Sequence, residues 1–187
     1  MQNHQTTAAL VNTINQYSPY LSYAVTLTMK QRAKITVRRF DNWDGEYNVR
    51  YVGLTEEVAH QTLKYFNARL THYAFGKQAR KTSTKHYAQP LVIAALEGLD
   101  SDKRIHFHLA VGNLPTKYLF EAHAMISKAW ADCDFGYKHI RISKLDNKYG
   151  WLDYMVKETT VGNTDAICIS NINQPQSILD ALAAESC

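Results

Sequence analysis

Residues 104–111 alternate apolar and polar side chains, and two of the polar positions are histidines, His106 and His108. Because successive side chains of a β-strand point to opposite faces, the two histidines share one face, and Phe107 and Leu109 share the other. Positions two apart on a strand are separated by about 6.5 to 7 Å, which lets both ring nitrogens reach one cation. The pair alone fits a metal site and an ordinary solvated strand face equally well, so the neighbouring residues must decide.

A hairpin is predicted to place a carboxylate beside this pair. The apolar run that ends at Glu97 is typical of a central strand, and a glycine-containing turn signal separates it from the histidine strand. With that turn centred on residues 101–102, Glu97 lies opposite His106 and Ala95 lies opposite His108. The small Ala95 leaves space for a ligand. Two acidic residues of the turn are alternative ligands, although turn side chains usually face solvent: Asp100 and Asp102.

Four other segments have strand character. Residues 20–29 alternate, with Thr26 and Thr28 on the face opposite the apolar positions. Residues 34–40 and 47–52 form a possible hairpin, and residues 137–143 form the fourth strand. A weaker candidate for an edge strand lies at residues 166–170.

Helices are predicted after Thr55, after Pro115 and over residues 149–158. Thr55 is a suitable N-cap and Gly76 a stop for the first, and Pro115 suits the first position of the second. Residues 149–158 lack β-type alternation, and a further short helix is predicted at 177–184.

Composition limits the class of protein. The chain has 187 residues with 45% hydrophobic and 20% charged, which suits a soluble globular domain. It has no apolar run of about 18 to 20 residues and no secretory signal pattern, so we expect a cytoplasmic protein that does not use a membrane. The three scattered cysteines favour free thiols over disulfides or a zinc knuckle.

Charge favours a polyanionic partner. The formal net charge is +4, and residues 77–86 are basic and hydroxyl-rich without an apolar anchor. Such a segment is usually a solvated loop, but it also suits contact with phosphates. The tryptophans are more typical of core or rim positions, with Trp43 the best exception for stacking on DNA. Six basic residues are candidates for phosphate contacts: Arg38, Arg39, Lys77, Arg80, Lys81 and Lys85.

Three signals occur in order along the chain: the strand with Thr26 and Thr28, the histidine hairpin, and a helix carrying Tyr154 and Lys157 three positions apart. In this combination the sequence resembles the HUH endonuclease superfamily, in particular its single-tyrosine rolling-circle replication initiators. The resemblance spans roughly residues 20 to 158. No internal repeat and no glycine-rich phosphate loop of a nucleotide-driven motor is visible.

The resemblance implies metal-dependent nicking and rejoining of single-stranded or hairpin origin DNA through a 5′-phosphotyrosine link. It assigns Tyr154 as the nucleophile, with Lys157 supplying positive charge. A divalent cation, Mg²⁺ or Mn²⁺, is implied at His106, His108 and Glu97. Thr26 and Thr28 are candidates for DNA contact. No helicase domain is visible, so unwinding and synthesis are expected from a separate helicase and polymerase.

The expected fold is α+β, with a central antiparallel sheet that carries the histidine strand and is flanked by helices, as in an HUH nuclease. We expect an N-terminal arm or short helix at 1–18, the nuclease domain at 19–160 and an extension at 161–187. Two alternatives stay open: a transposase or mobilisation relaxase with the same chemistry, and a non-catalytic nucleic-acid-binding domain. The last predicts that Glu97 and the two histidines do not converge.

Overall fold

The structure is a computed structural model that describes residues 2–38, 47–99, 102–116, 118–160, 167–168 and 171–185, with side chains except at 2–8, 37–38, 47–48, 157–160 and 185. In these residues the helices are α1 (Gln2–Asn15), α2 (Glu56–Phe75), α3 (Leu119–Ala131), α4 (Lys148–Thr160) and α5 (Gln176–Glu185). The strands are β1 (Leu21–Met29), β2 (Arg32–Arg38), β3 (Tyr47–Gly53), β4 (Leu91–Glu97), β5 (His106–Gly112) and β6 (Gly136–Lys144).

Four strands form one sheet in the order β4-β5-β1-β6, and every neighbouring pair is antiparallel. The histidine strand β5 is therefore an inner strand, as predicted. The fold is α+β, with this antiparallel sheet flanked by helices. Strands β2 and β3 pair separately as the predicted hairpin.

One face of the sheet is covered by α2 and α3. The apolar residues of β5, Phe107 and Leu109, are buried in one cluster with Phe66 of α2 and Trp130 of α3. The rings of Phe66 and Trp130 meet edge to face, with centroids 5.8 Å apart. The alternation of β5 thus directs its larger apolar side chains into the main core.

The other face is covered by α1, α4 and α5. Its apolar part, which includes Ala24 of β1 and Ala110 of β5, packs against Ile14, Met155 and Ile178 from the three helices. Small residues on the sheet let these helices approach closely. Residues of the predicted N-terminal arm and C-terminal extension therefore contribute to the same buried cluster as α4.

The termini of α2 follow the sequence signals. The Thr55 hydroxyl accepts a hydrogen bond from the Val58 amide at 3.2 Å, and Gly76 adopts a φ of 52° at the C-terminal end. A side chain is strained at such a positive φ, so glycine suits this position. None of the helices in the described ranges has both the length and the apolar character that crossing a bilayer requires.

Two local predictions were wrong. Pro115 is not the first residue of α3, because the Glu121 side chain accepts from the Tyr118 amide at 3.3 Å and the helix begins at Leu119. Strand β4, predicted to be a central strand, lies at the edge of the four-stranded sheet. Its outer side is nevertheless covered, because Val92 pairs with Asn173 and Ala95 pairs with Ile167 in isolated bridges.

We predict that Cys133 and Cys168 resist alkylation in the folded protein. Both side chains are buried, and desolvation raises the pKa of each thiol to about 12, so the reactive thiolate is rare at neutral pH. Iodoacetamide treatment followed by peptide mass spectrometry should find both unmodified in native protein and modified after denaturation. Rapid labelling of either in native protein would contradict their burial. Cys187 lies outside the described residues.

Candidate metal centre

The hairpin of β4 and β5 builds the candidate centre. Glu97 pairs with His106 and Ala95 pairs with His108, which is the register predicted from the sequence. Gly98 follows Glu97 with a φ of 92°, a backbone conformation that glycine adopts without strain. The turn therefore allows the two strands to bring one carboxylate and two imidazoles to the same end of one sheet face.

The three side chains converge on one point. Nε2 of His106 and Nε2 of His108 are 3.0 Å apart, and Oε2 of Glu97 is 3.5 Å from each of them. Three atoms at these separations can all lie about 2.1 Å from a common centre, which is a normal metal–ligand bond length for nitrogen and oxygen. Glu97, His106 and His108 are thus a group that can hold a metal ion.

Hydrogen bonds orient both rings. Nδ1 of His106 lies 2.7 Å from the Arg104 carbonyl oxygen, and because a carbonyl only accepts, this nitrogen is the donor. The neutral ring then carries its lone pair on Nε2, the atom that faces the other ligands. Nδ1 of His108 lies 3.1 Å from the Thr26 hydroxyl, which can hold the second ring in the same tautomer.

The group is withdrawn from water. Only 7% of Glu97 and 6% of His108 are exposed, and His106 is partly buried. Burial, followed by the nearby charges of His106 and Lys103, lowers the pKa of His108 to about 4. The imidazole of His108 is therefore neutral at neutral pH, and the neutral ring is the form that binds a metal.

Helix α4 places Tyr154 over this group. Its hydroxyl lies 3.5 Å from Nε2 of His108, and the two rings meet edge to face with centroids 5.0 Å apart. The helix is held in position by Met155, which is buried in the second core, and by Asn147, whose side chain accepts from the Gly150 amide at 3.0 Å. Tyr154 itself is 42% exposed, so the residue is partly open to solvent.

Trp151, which the sequence suggested was packing, is part of the site. Its Nε1 donates to the Leu109 carbonyl of β5 at 3.1 Å, and its ring stacks with Tyr154 at 5.6 Å and meets His108 edge to face at 5.5 Å. Its position three residues before Tyr154 puts both on one helical face, which is the signal that could have identified it.

Arg141 was also missed. A cleft of about 550 Å³ opens beside His108 and Tyr154, and Arg141 of β6 is an exposed residue in its wall. Across the sheet, His108 pairs with Thr26 and Thr26 pairs with Arg141, so the three form one row. The alternation of residues 137–143 placed Arg141 on one face but gave no indication of this row, because strand order depends on the tertiary fold.

The other predicted site residues have different positions. Thr26 bonds His108, and Thr28 pairs with His106 in the neighbouring row. Asp102 is exposed in the turn and is not one of the converging ligands, whereas Asp100 lies outside the described residues. Four basic residues are exposed between α2 and β4: Lys77, Arg80, Lys81 and Lys85.

Four residues predicted for the site have atoms that the structure does not describe. Arg39 and Trp43 lie outside the described residues, and Arg38 belongs to β2 by its backbone only. Lys157 likewise belongs to the backbone of α4, but its side chain is not described. Their roles stay predictions from the sequence.

Comparison of the chain with protein-family models, with curated proteins and with solved structures found no match.

We predict that Mn²⁺ stabilises protein that has first been stripped with EDTA. A cation at about 100 times its dissociation constant adds about 2.7 kcal/mol to the free energy of unfolding, or roughly 5 to 10 °C in Tm for a domain of this size. Glu97→Gln or His106→Asn should abolish most of this rise, because each removes one ligand. The matched control is His123→Asn, which changes an exposed histidine of α3. An undiminished rise in the ligand variants would contradict the assignment.

Proposed function

We propose that this protein is a metal-dependent enzyme that nicks and rejoins single-stranded DNA, with Tyr154 as the nucleophile. The observation that carries the proposal is the 3.5 Å distance between the Tyr154 hydroxyl and Nε2 of His108, one of three converging metal-ligand candidates. A phenol and a cation held this close can contact the same phosphate group. The proposal includes an HUH-type arrangement of the nuclease fold, as the sequence resemblance implies.

Glu97, His106 and His108 would hold the divalent cation, Mg²⁺ or Mn²⁺. Bound there, the cation would act as a Lewis acid on the phosphate oxygens and offset their negative charge. Two nitrogens and one carboxylate leave further coordination positions for substrate, and the polar donor set suits these cations. Burial of the group limits competition from bulk water.

Tyr154 would attack the scissile phosphorus. The bond between its phenolic oxygen and phosphorus forms as the bond to the 3′ oxygen breaks, giving a 5′-phosphotyrosine and a free 3′-hydroxyl. The proton lost by the phenol is balanced by the proton that the 3′ oxygen takes up. Because the phosphoester bond is exchanged and not hydrolysed, the reverse reaction can rejoin the strand.

Neighbouring side chains would position the reactants. Trp151 stacks on Tyr154 and restricts its ring, which favours one direction of attack. Arg141 lies in the wall of the adjacent cleft, where a guanidinium can bind a phosphate through two hydrogen bonds. Lys157, three residues after Tyr154, is the second proposed source of positive charge.

Replication initiation of a plasmid, phage or related element is the role that the sequence resemblance favours. A transposase or mobilisation relaxase would use the same chemistry and the same residues. A non-catalytic binding domain has less support, because it gives no reason for a buried carboxylate and two imidazoles to converge beside a partly exposed tyrosine. Burying such groups costs stability unless they are paired, so their convergence favours a site.

We predict that Tyr154→Phe abolishes a covalent protein–DNA adduct. The test incubates the protein and Mn²⁺ with a pool of labelled single-stranded oligonucleotides of random sequence and separates products on a denaturing gel. Wild-type protein should form a slower-migrating labelled band, and sequencing the retained DNA gives the preferred cleavage site.

The matched control is Tyr149→Phe, which changes an exposed tyrosine five residues earlier in the same helix. It should keep the adduct, whereas EDTA added before the DNA should prevent adduct formation by wild-type protein. An adduct that persists in Tyr154→Phe would show that another group is the nucleophile. No adduct with wild-type protein would contradict the proposed activity.

We predict that Arg141→Gln slows adduct formation on the selected oligonucleotide by about tenfold or more while leaving Mn²⁺ stabilisation intact. The reason is that Arg141 lies in the cleft wall but is not one of the converging ligands. The readouts are the single-turnover rate of adduct formation and the thermal shift. Lys34→Gln, an exposed change on β2, is the control. An unchanged rate would remove Arg141 from the mechanism.

A further inference from the structure

A second groove lies away from the candidate metal centre. It has a volume of about 690 Å³ and runs between α2, the short 3₁₀ helix Gln78–Arg80 and residues 171–173. Asn173 in its wall pairs with Val92, five positions before Glu97 on β4, which corresponds to about 17 Å along the strand. Helix α2 also covers the sheet face opposite the histidines. The groove is therefore separate from the centre described above.

The groove is cationic. Lys64 and Arg80 are exposed in its wall, and Arg80 lies 3.4 Å from the His72 ring. Arg69 also lines it but is paired with Asp132. None of the lining residues in the described part of the chain is acidic. The wall therefore presents positive charge that can bind phosphate groups.

An aromatic ring and two buried amides occupy the same wall. Tyr65, beside Lys64, is 50% exposed, which makes its face accessible for stacking. Asn67 and Asn171 are 9% and 6% exposed, and Oδ1 of each is buried without a hydrogen-bond partner. Both oxygens are closed to solvent, and the accessible part of this wall includes its cations and the Tyr65 ring.

Basic and aromatic side chains continue beyond the groove. Lys81 and the half-exposed Tyr87 line a smaller cleft next to the 3₁₀ helix, and Lys77 and Lys85 are exposed nearby in the chain. Surfaces that carry both cations and exposed aromatic rings are typical of proteins that bind a single strand. The basic segment 77–86 therefore lies beside the groove.

We propose that this groove binds single-stranded DNA as a contact site distinct from the metal centre. Lys64 and Arg80 contact phosphates, and Tyr65 stacks on a base. The size of the groove suits about one nucleotide, with the strand continuing past Lys81 and Tyr87. The choice of DNA over RNA rests on the proposed function.

Fluorescence anisotropy with a labelled thymidine oligonucleotide of about 20 nucleotides tests the groove, in EDTA so that no cleavage occurs. Tyr65→Ala should weaken binding by about tenfold, whereas Tyr65→Phe should bind like wild type because it keeps the stacking ring. Arg80→Gln should reduce the slope of log affinity against log salt by about 0.7, the value for one lost phosphate contact on a single strand.

The matched controls change exposed residues of the separate hairpin: Tyr51→Ala and Lys34→Gln. The proposal is overturned if the groove variants bind like wild type, if the controls lose as much affinity, or if wild-type protein does not bind the oligonucleotide. Anisotropy needs neither the metal nor Tyr154. A failure to form the covalent adduct would therefore contradict the proposed activity but would not contradict DNA binding by this groove.

Discussion

The antiparallel pairing of β4 with β5 is the interaction on which the rest of the site depends. It places Glu97 beside His106 and the small Ala95 beside His108, so that the carboxylate and both imidazoles reach one point. Side chains alternate between faces with a period of two, and a slip of one residue would turn the carboxylate to the opposite face. The same alternation buries Phe107 and Leu109 in the main core, so the energy of core packing opposes such a slip.

The second sheet face combines two environments that are usually separate. At one end Ala24 and Ala110 are small and apolar, and α4 packs there through Leu152 and Met155. At the other end lie the histidines, and the same helix extends Tyr154 over them. The apolar contact therefore positions the phenol, because a rigid helix transmits the position of its buried side to its exposed side. Trp151 strengthens this connection by bonding β5 and stacking on Tyr154.

Local sequence signals predicted the ends of helices and the register of strands well where neighbouring residues determine them. Thr55 and Gly76 delimit α2 through their own backbone preferences, and the register of the histidine hairpin follows from one turn. Pro115 was misleading because Glu121 accepts from the Tyr118 amide, and that bond defines a later start for α3. The edge position of β4 could not be foreseen, since strand order depends on contacts between segments far apart in the chain.

The periods of two and 3.6 residues are properties of the backbone, so the amino-acid pattern alone indicates which residues share a face of each strand and helix. It thereby identified Glu97, His106 and His108 as one group and put Tyr154 on a helix. Three other features of the site come from the packing of distant segments: the Tyr154 hydroxyl lies 3.5 Å from His108, Thr26 bonds the same ring, and Arg141 lies in their row. The two contacts with His108 join residues that are 46 and 82 positions apart in the chain. Such contacts depend on how the helices and strands pack.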